Sequence, residues 1–451
     1  ERIDKWVVEG AGWKLLYGSE RIDEAVMEAL LQLANERALI DRMAALQRGE
    51  PLNVTEKRAA DHPALRGGNS EHHRLAKQEI DKLKGYSFSC TDLIVVGIGG
   101  SQLGPEAVCE ALGYLPKRCQ LHFLSNLDAD EFERVLAMIT LSTTTVVVIS
   151  KSGSTWETEV NEQLLRKKFT ENGLESRSHF VAVTTKGSKL DREDDFEQIF
   201  YLFDWVGGRF STTSMVGGVV LKALYGMEFF SELLEGAAAM DNVALEEGNP
   251  ALITALLNLW NHNYLGYSSR VIVPYASALK RWPAHIQQVA MESNGKRVDL
   301  EGKPVTYPTE AIVWGEAGTC AQHSFFQLLH QGTAVVPVEF IGFKRAPNGD
   351  TVTQKKLLAN LIGQAIALAK GEGQAFPGNR PSRMLLTDSL SPYRLGALLA
   401  FYEHQTAFLG FLLNINSFDQ EGVQLGKKLA KNVMQETNDP LIQAYLDHVQ
   451  N

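Results

Sequence analysis

From residue 89 onward, short β-branched runs alternate with amphipathic stretches of helical period. This alternation constrains the chain more than any other feature. It predicts strands at Leu93–Val96, Leu121–Leu124, Thr145–Ile149 and Phe180–Thr184, with helices such as Thr158–Phe169 between them. Strand–helix alternation of this kind builds a parallel sheet with helices on both faces. Residues 212–265 read as helix, and then the pattern returns with Val271–Pro274, Ile312–Trp314 and Val335–Ile341. Upstream, residues 1–84 read as helical. Ile22–Gln47 in particular has apolar positions at helical spacing and neither Gly nor Pro. The expected fold is α/β: a helical segment over 1–84, a first α/β domain over 85–245, and a second over 246–451 that ends in helices.

A chain of 451 residues is long enough for two to three domains, each able to bury its own core. The net charge of −10 argues against binding a nucleic-acid backbone. The four cysteines, Cys90, Cys109, Cys119 and Cys320, form no C-x-x-C pair, so neither zinc nor a redox dithiol is expected, and a reducing, cytoplasmic setting fits them. The apolar run Leu395–Leu413 is broken by Glu403, His404 and Gln405 and reads as a buried helix, not a membrane span. No secretory leader is expected in the residues after Glu1, and the native start is left open.

Chemistry-bearing residues cluster where strands end. Strand Leu93–Val96 runs into Gly97-Ile-Gly99-Gly100-Ser101-Gln-Leu-Gly104. Such glycines let backbone N–H groups approach a ligand, although tight strand–helix packing would require them equally. The spacing is not the dinucleotide G-x-G-x-x-G, and no suitably placed acid follows the second strand to hold a ribose, the segment there reading Ser125-Asn-Leu-Asp128. Strand Thr145–Ile149 ends in Ser150-Lys151-Ser152-Gly153-Ser154-Thr155-Trp-Glu-Thr158, where five of nine residues carry hydroxyls. Hydroxyls and helix-terminal amides at the carboxyl end of a strand can wrap a phosphate. Helix capping by Ser154 or Thr155, with Glu157 or Glu159 in the first turn, is the plainer alternative. Arg209 follows Gly207-Gly208, where a flexible backbone could aim a guanidinium at a developing oxyanion or simply leave it in solvent. Gln288 and Glu292 stand four apart on one helical face closed by Gly295. A carboxylate there can act as a base, though most such residues are solvated. Two further segments are Trp314-Gly-Glu316-Ala-Gly-Thr-Cys320-Ala-Gln-His323 and Phe418-Asp419-Gln420-Glu-Gly-Val-Gln424-Leu-Gly-Lys427-Lys428. A lone His is usually structural, and a Lys pair at a helix start is usually surface.

Taken together and in order, these segments resemble the phosphoglucose isomerase family. V-G-G-R-F-S around Arg209 and F-D-Q-E-G-V-Q-L-G-K ending at Lys427 look like its two signatures; M-E-S-N-G-K and W-G-E-A-G-T-C-A-Q-H look like the active-site segments between them. The resemblance implies two sugar isomerase (SIS) domains and a cytoplasmic enzyme of glycolysis and gluconeogenesis. It would interconvert glucose 6-phosphate and fructose 6-phosphate with no metal or organic cofactor. It assigns Glu292 as the base between C1 and C2, His323 to ring opening from the neighbouring subunit of a homodimer, Lys427 to the ring oxygen and Arg209 to the enediolate. It gives Ser150, Lys151, Ser152 and Thr155 to the phosphate, and Gly100, Ser101, Gln288 and Gln420 to the sugar. Gln424 stands where the signature usually has Glu, and Ser152 and Cys320 where Thr and Asn are more usual.

Three other readings fit parts of this pattern. A non-catalytic SIS-domain sensor of sugar phosphates would lack Glu292, His323 or Lys427, and all three are present. A nicotinamide-linked dehydrogenase would need the missing dinucleotide spacing. A glucosamine-phosphate isomerising domain shares the architecture but not the W-G-E and F-D-Q segments.

Overall fold

The computed structural model describes residues 1–68, 70–435 and 439–449. Its strands are β1 (Val7–Gly10), β2 (Trp13–Ser19), β3 (Asp92–Val96), β4 (Gln120–Leu124), β5 (Thr144–Ile149), β6 (Phe180–Thr185), β7 (Gln198–Leu202), β8 (Ser269–Pro274), β9 (Ile312–Gly315), β10 (Val338–Arg345) and β11 (Ser382–Ser389). They form two sheets. The first is five-stranded and parallel throughout, in the order β4-β3-β5-β6-β7. Alternate residues of its central strands serve two separate cores. Ile94, Val96, Val146 and Val148 pack with Leu165 and Phe169, whereas Leu93, Val95, Val147 and Ile149 face a larger cluster containing Val216, Val219 and Val220. Burial on both faces is why these strands read as unbroken apolar runs.

The second sheet has the order β1-β2-β11-β10-β8-β9. Strands β8 to β11 are parallel, but β1 and β2 form an antiparallel hairpin, and β2 pairs antiparallel with β11. This corrects two expectations: residues 1–84 are not wholly helical, and the second sheet is mixed. The hairpin carries a period of two, with Trp13, Leu15 and Tyr17 buried and Lys14 and Leu16 partly exposed. Its turn is made at Ala11 (φ 48°) and Gly12 (φ 75°). The Ile22–Gln47 run is likewise broken, into helices Glu24–Glu36 and Leu39–Gln47, because Ala38 takes a left-handed conformation at φ 48°. Strand β10 starts at Val338, later than expected, and β7 and β11 complete the sheets at positions the sequence reading passed over.

Helix Pro392–Leu412 is buried along almost its whole length and packs against Met227–Val243. The polar break in its sequence is buried and paired. Arg66 binds Glu403 and Asp241, each at 2.7 Å, and Nε2 of His404 lies 2.7 Å from Asp241. Among the described residues no helix is long and apolar enough to cross a membrane. Helices Gln424–Val433 and Pro440–Val449 bury no residue.

Candidate active site

Strands β3 and β5 are adjacent and in register, with Val96 opposite Val148, so their turns leave the same edge of the sheet side by side. In the first turn, a β-carbon built on Gly100 would lie 2.2 Å from the Gly208 carbonyl oxygen and 2.8 Å from the Arg209 nitrogen. Only glycine allows the β3 turn to seat on the arginine turn this closely. Gly99, at φ 62°, abuts the side-chain amide of Gln288, and Ser101 closes the short Gly99–Ser101 helical turn.

The second turn is the hydroxyl loop. Oγ of the buried Ser150 lies 3.1 Å from Thr155 Oγ1 and accepts the Gly153 N–H at 3.1 Å. Ser152 Oγ accepts from the backbone N–H (3.2 Å) and hydroxyl (2.9 Å) of Ser154. Thr155 occupies the N-cap position of helix Trp156–Glu171, yet its side chain makes no capping hydrogen bond. The hydroxyls are organised around one another, not around the helix end, which leaves the terminal amides and their dipole to attract an anion. Lys151 Nζ donates to the carbonyls of Asp204 and Val206, both at 2.9 Å, and so ties this loop to the segment leading into Arg209. Burial pushes its pKa down to about 8.

Arg209 is the hub, with only 1% of its surface exposed. Its Nε donates to Ser293 Oγ (2.6 Å), Nη1 to Gln420 Oε1 (2.8 Å), and Nη2 to the carbonyls of Ser417 (2.6 Å) and Asp419 (3.1 Å). Nη1 also lies 3.5 Å from the Glu292 carboxylate. Burial pulls the Arg209 pKa below its usual value, opposed by the charges of Glu292 and Asp419; a guanidinium remains charged all the same. Glu292 ends a π-helical turn, Gln288–Glu292, that continues helix Trp282–Gln287. Gln288 Nε2 donates to the second Glu292 oxygen at 2.8 Å. The carboxylate is thus held on one side by an amide and on the other by a guanidinium, and its side chain keeps 22% exposure. A partly open carboxylate beside a buried cation is suited to taking a proton from an uncharged carbon acid while the cation stabilises the charge left behind.

The structure therefore brings Gly100, Arg209, Gln288, Glu292 and Gln420 together, with Ser101 beside them and Ser150, Ser152 and Thr155 on the neighbouring strand end. The Lys151 ammonium faces backbone carbonyls. His323 and Lys427 are not bonded into this cluster. His323 is exposed at the end of helix Gly318–Gln322, and Lys427 lies on the exposed helix Gln424–Val433. Neither makes a side-chain hydrogen bond among the described residues. Among those residues no group of three or more His, Cys, Asp or Glu is placed to hold a metal ion. The sequence reading passed over Ser293, Lys296, Ser417 and Asp419, all within or beside its own motifs. Ser293, Ser417 and Asp419 bond the hub from behind, Lys296 bonds Ser293 and Asp419 in turn, and nothing in a linear motif distinguishes these positions from solvent.

A family model for phosphoglucose isomerase matches residues 16–79 and 71–449. Glucose-6-phosphate isomerase of Chlamydia caviae is 46% identical over 96% of this chain and 89% of its own length. That of Protochlamydia amoebophila is 46% identical over 97% of this chain and 88% of its own. Among solved structures, a glucose-6-phosphate isomerase from Chlamydia trachomatis superposes with a TM-score of 0.95 at 43% identity, covering 100% of this chain and 94% of that one. A hypothetical protein from Thermus thermophilus gives 0.73 at 26% identity, covering 91% and 97%. These matches run through the segments that meet at Arg209, and on them the chain belongs to the phosphoglucose isomerase family.

Proposed function

We propose that the chain catalyses the reversible interconversion of glucose 6-phosphate and fructose 6-phosphate, an aldose–ketose isomerisation of glycolysis and gluconeogenesis. The observation that carries this reading is the Glu292 carboxylate, positioned by Gln288 and 3.5 Å from the buried Arg209 guanidinium. Glu292 takes the proton from the carbon beside the carbonyl and returns it to the neighbouring carbon. Arg209 stabilises the enediolate between the two transfers; one such preorganised donor is typically worth about 3–4 kcal/mol. The hydroxyls of Ser150, Ser152 and Thr155 hold the phosphate, whose binding orients the reacting carbons. Gly100, Ser101, Gln288 and Gln420 line the sugar site, and Lys427 serves the ring oxygen. The exposure of His323, with no side-chain hydrogen bond among the described residues, supports its serving the site of a second copy in a homodimer. The five-stranded sheet lies wholly within residues 85–245 and supports that unit, and the strands β8 to β11 support a second unit over 246–451 that takes in the hairpin of residues 7–19.

The test is a coupled assay converting fructose 6-phosphate to glucose 6-phosphate, run with and without EDTA. Activity that survives the chelator is expected, and a loss restored by added metal would contradict a scheme built on proton transfer alone. Glu292→Gln should lose nearly all turnover yet still bind sugar phosphate; near-normal turnover would remove the base assignment.

A further inference from the structure

The turn that carries Glu292 ends at Gly295, and the next residue bonds back onto it. Lys296 Nζ donates to the carbonyls of Glu292 (3.2 Å) and Ser293 (2.8 Å), two of the acceptors that a helix leaves unpaired at its C-terminus. The same ammonium donates to the Asp419 carbonyl at 2.9 Å and pairs with the Asp419 carboxylate at 3.0 Å. Its N–H groups are therefore spent within the protein. The Asp419 side chain is itself fixed from a third segment: Thr55 Oγ1 donates to Oδ2 at 2.6 Å and Asn416 Nδ2 at 3.0 Å. Residue 420, which follows, presents its side chain to Arg209. Both partners are largely shielded, with side chains 15% and 12% exposed.

We propose that Lys296 and Asp419 form a positioning clamp that holds the base-bearing turn in register with the Gln420–Arg209 side of the site. The clamp rests on the reading of Glu292 as the base. It acts through backbone: it fixes the carbonyl end of the Glu292 turn and the chain at Asp419 to one another, so that the 3.5 Å spacing between carboxylate and guanidinium is maintained. It touches neither the substrate nor the reacting atoms. Release of one side would let Glu292 and Gln420 drift independently, and a displacement of about 1 Å between reacting groups can cost on the order of 10²-fold in rate.

Steady-state kinetics of the full chain with fructose 6-phosphate provide the test, with wild type and Glu292→Gln alongside. Lys296→Met removes the ammonium and keeps the stem. It should lower kcat about 10- to 100-fold with KM within about threefold, because the phosphate loop lies elsewhere. Asp419→Ala should do the same, and the double variant should be no worse than the poorer single one, as coupled residues behave. Lys296→Arg, which keeps charge and reach, should recover part of kcat. Thr55→Val, which leaves both charges in place, should show a smaller fall and guards against misfolding of the other variants. Wild-type kcat in Lys296→Met, additive losses in the double variant, or a rise in KM alone would each overturn the clamp. An inactive wild type would instead overturn the isomerase reading.

Discussion

The close seating of Gly100 on the arginine turn makes a sharp prediction. In Gly100→Ala the added methyl would lie 2.2 Å from the Gly208 carbonyl oxygen. An ordinary carbon–oxygen contact is about 3.3 Å, so the two turns must separate by about 1 Å. The obstacle is backbone on both sides, which cannot rotate aside as a side chain would. The move carries Arg209 with it, because its amide nitrogen is the next residue's atom met, at 2.8 Å. Arg209 is held by Ser293, Gln420, Ser417 and Asp419, so the strain spreads to Glu292. With about 10²-fold per ångström of misplacement, kcat/KM should fall by about two orders of magnitude, equivalent to about 2.7 kcal/mol of transition-state stabilisation. The assay is the coupled conversion of fructose 6-phosphate, with Gly363→Ala as control, since nothing lies within 4 Å of a β-carbon there. If Gly100→Ala keeps kcat/KM within twofold of wild type while remaining folded, the turns are not coupled as described.

Other outcomes follow from the same geometry. Ser152→Ala combined with Thr155→Ala should raise KM for the phosphorylated sugar with little change in helix stability, because neither hydroxyl caps the helix; an unchanged KM would argue against a phosphate role. Lys151, whose pKa burial lowers from 10.5 to about 8, binds fewer protons in the folded than in the unfolded state between those values. Stability therefore gains a contribution as pH rises from about 8 to 10.5. Denaturant titrations across that range should show the rise in wild type and a flatter profile in Lys151→Met; equal slopes would refute it.

The central strands β3, β5 and β6 of the first sheet were legible because burial on both faces leaves them almost entirely β-branched and apolar, whereas the edge strand β7 was not; the hydroxyl and glycine turns were legible because they follow β5 and β3. The hairpin of residues 7–19 was not. Its alternation is short and sits beside strongly helical sequence, and it joins a sheet only by pairing β2 with β11, more than 360 positions away. Ala38 illustrates a second limit: a left-handed residue without glycine or asparagine leaves no mark that propensity can read. Within the site, Glu292, Arg209 and Gln420 were found from motif residues, whereas Lys296 and Asp419 were passed over within the same motifs. Their importance is a matter of which carbonyls they reach, and spacing along the chain does not report it.

The pairing of β2 with β11 also bears on how the molecule comes into being. A ribosome releases residues 7–19 long before it makes 382–389, so the hairpin spends most of synthesis without its partner strand. Trp13 bonds the carbonyl of Arg394, and Arg394 reaches back to that of Ala11. Meanwhile the strands between residues 92 and 202 have all their sheet neighbours at hand. Assembly from the middle outward, with the earliest-made strands docking among the last, leaves an apolar ribbon waiting in the cell, and that interval is where chaperones would be most needed.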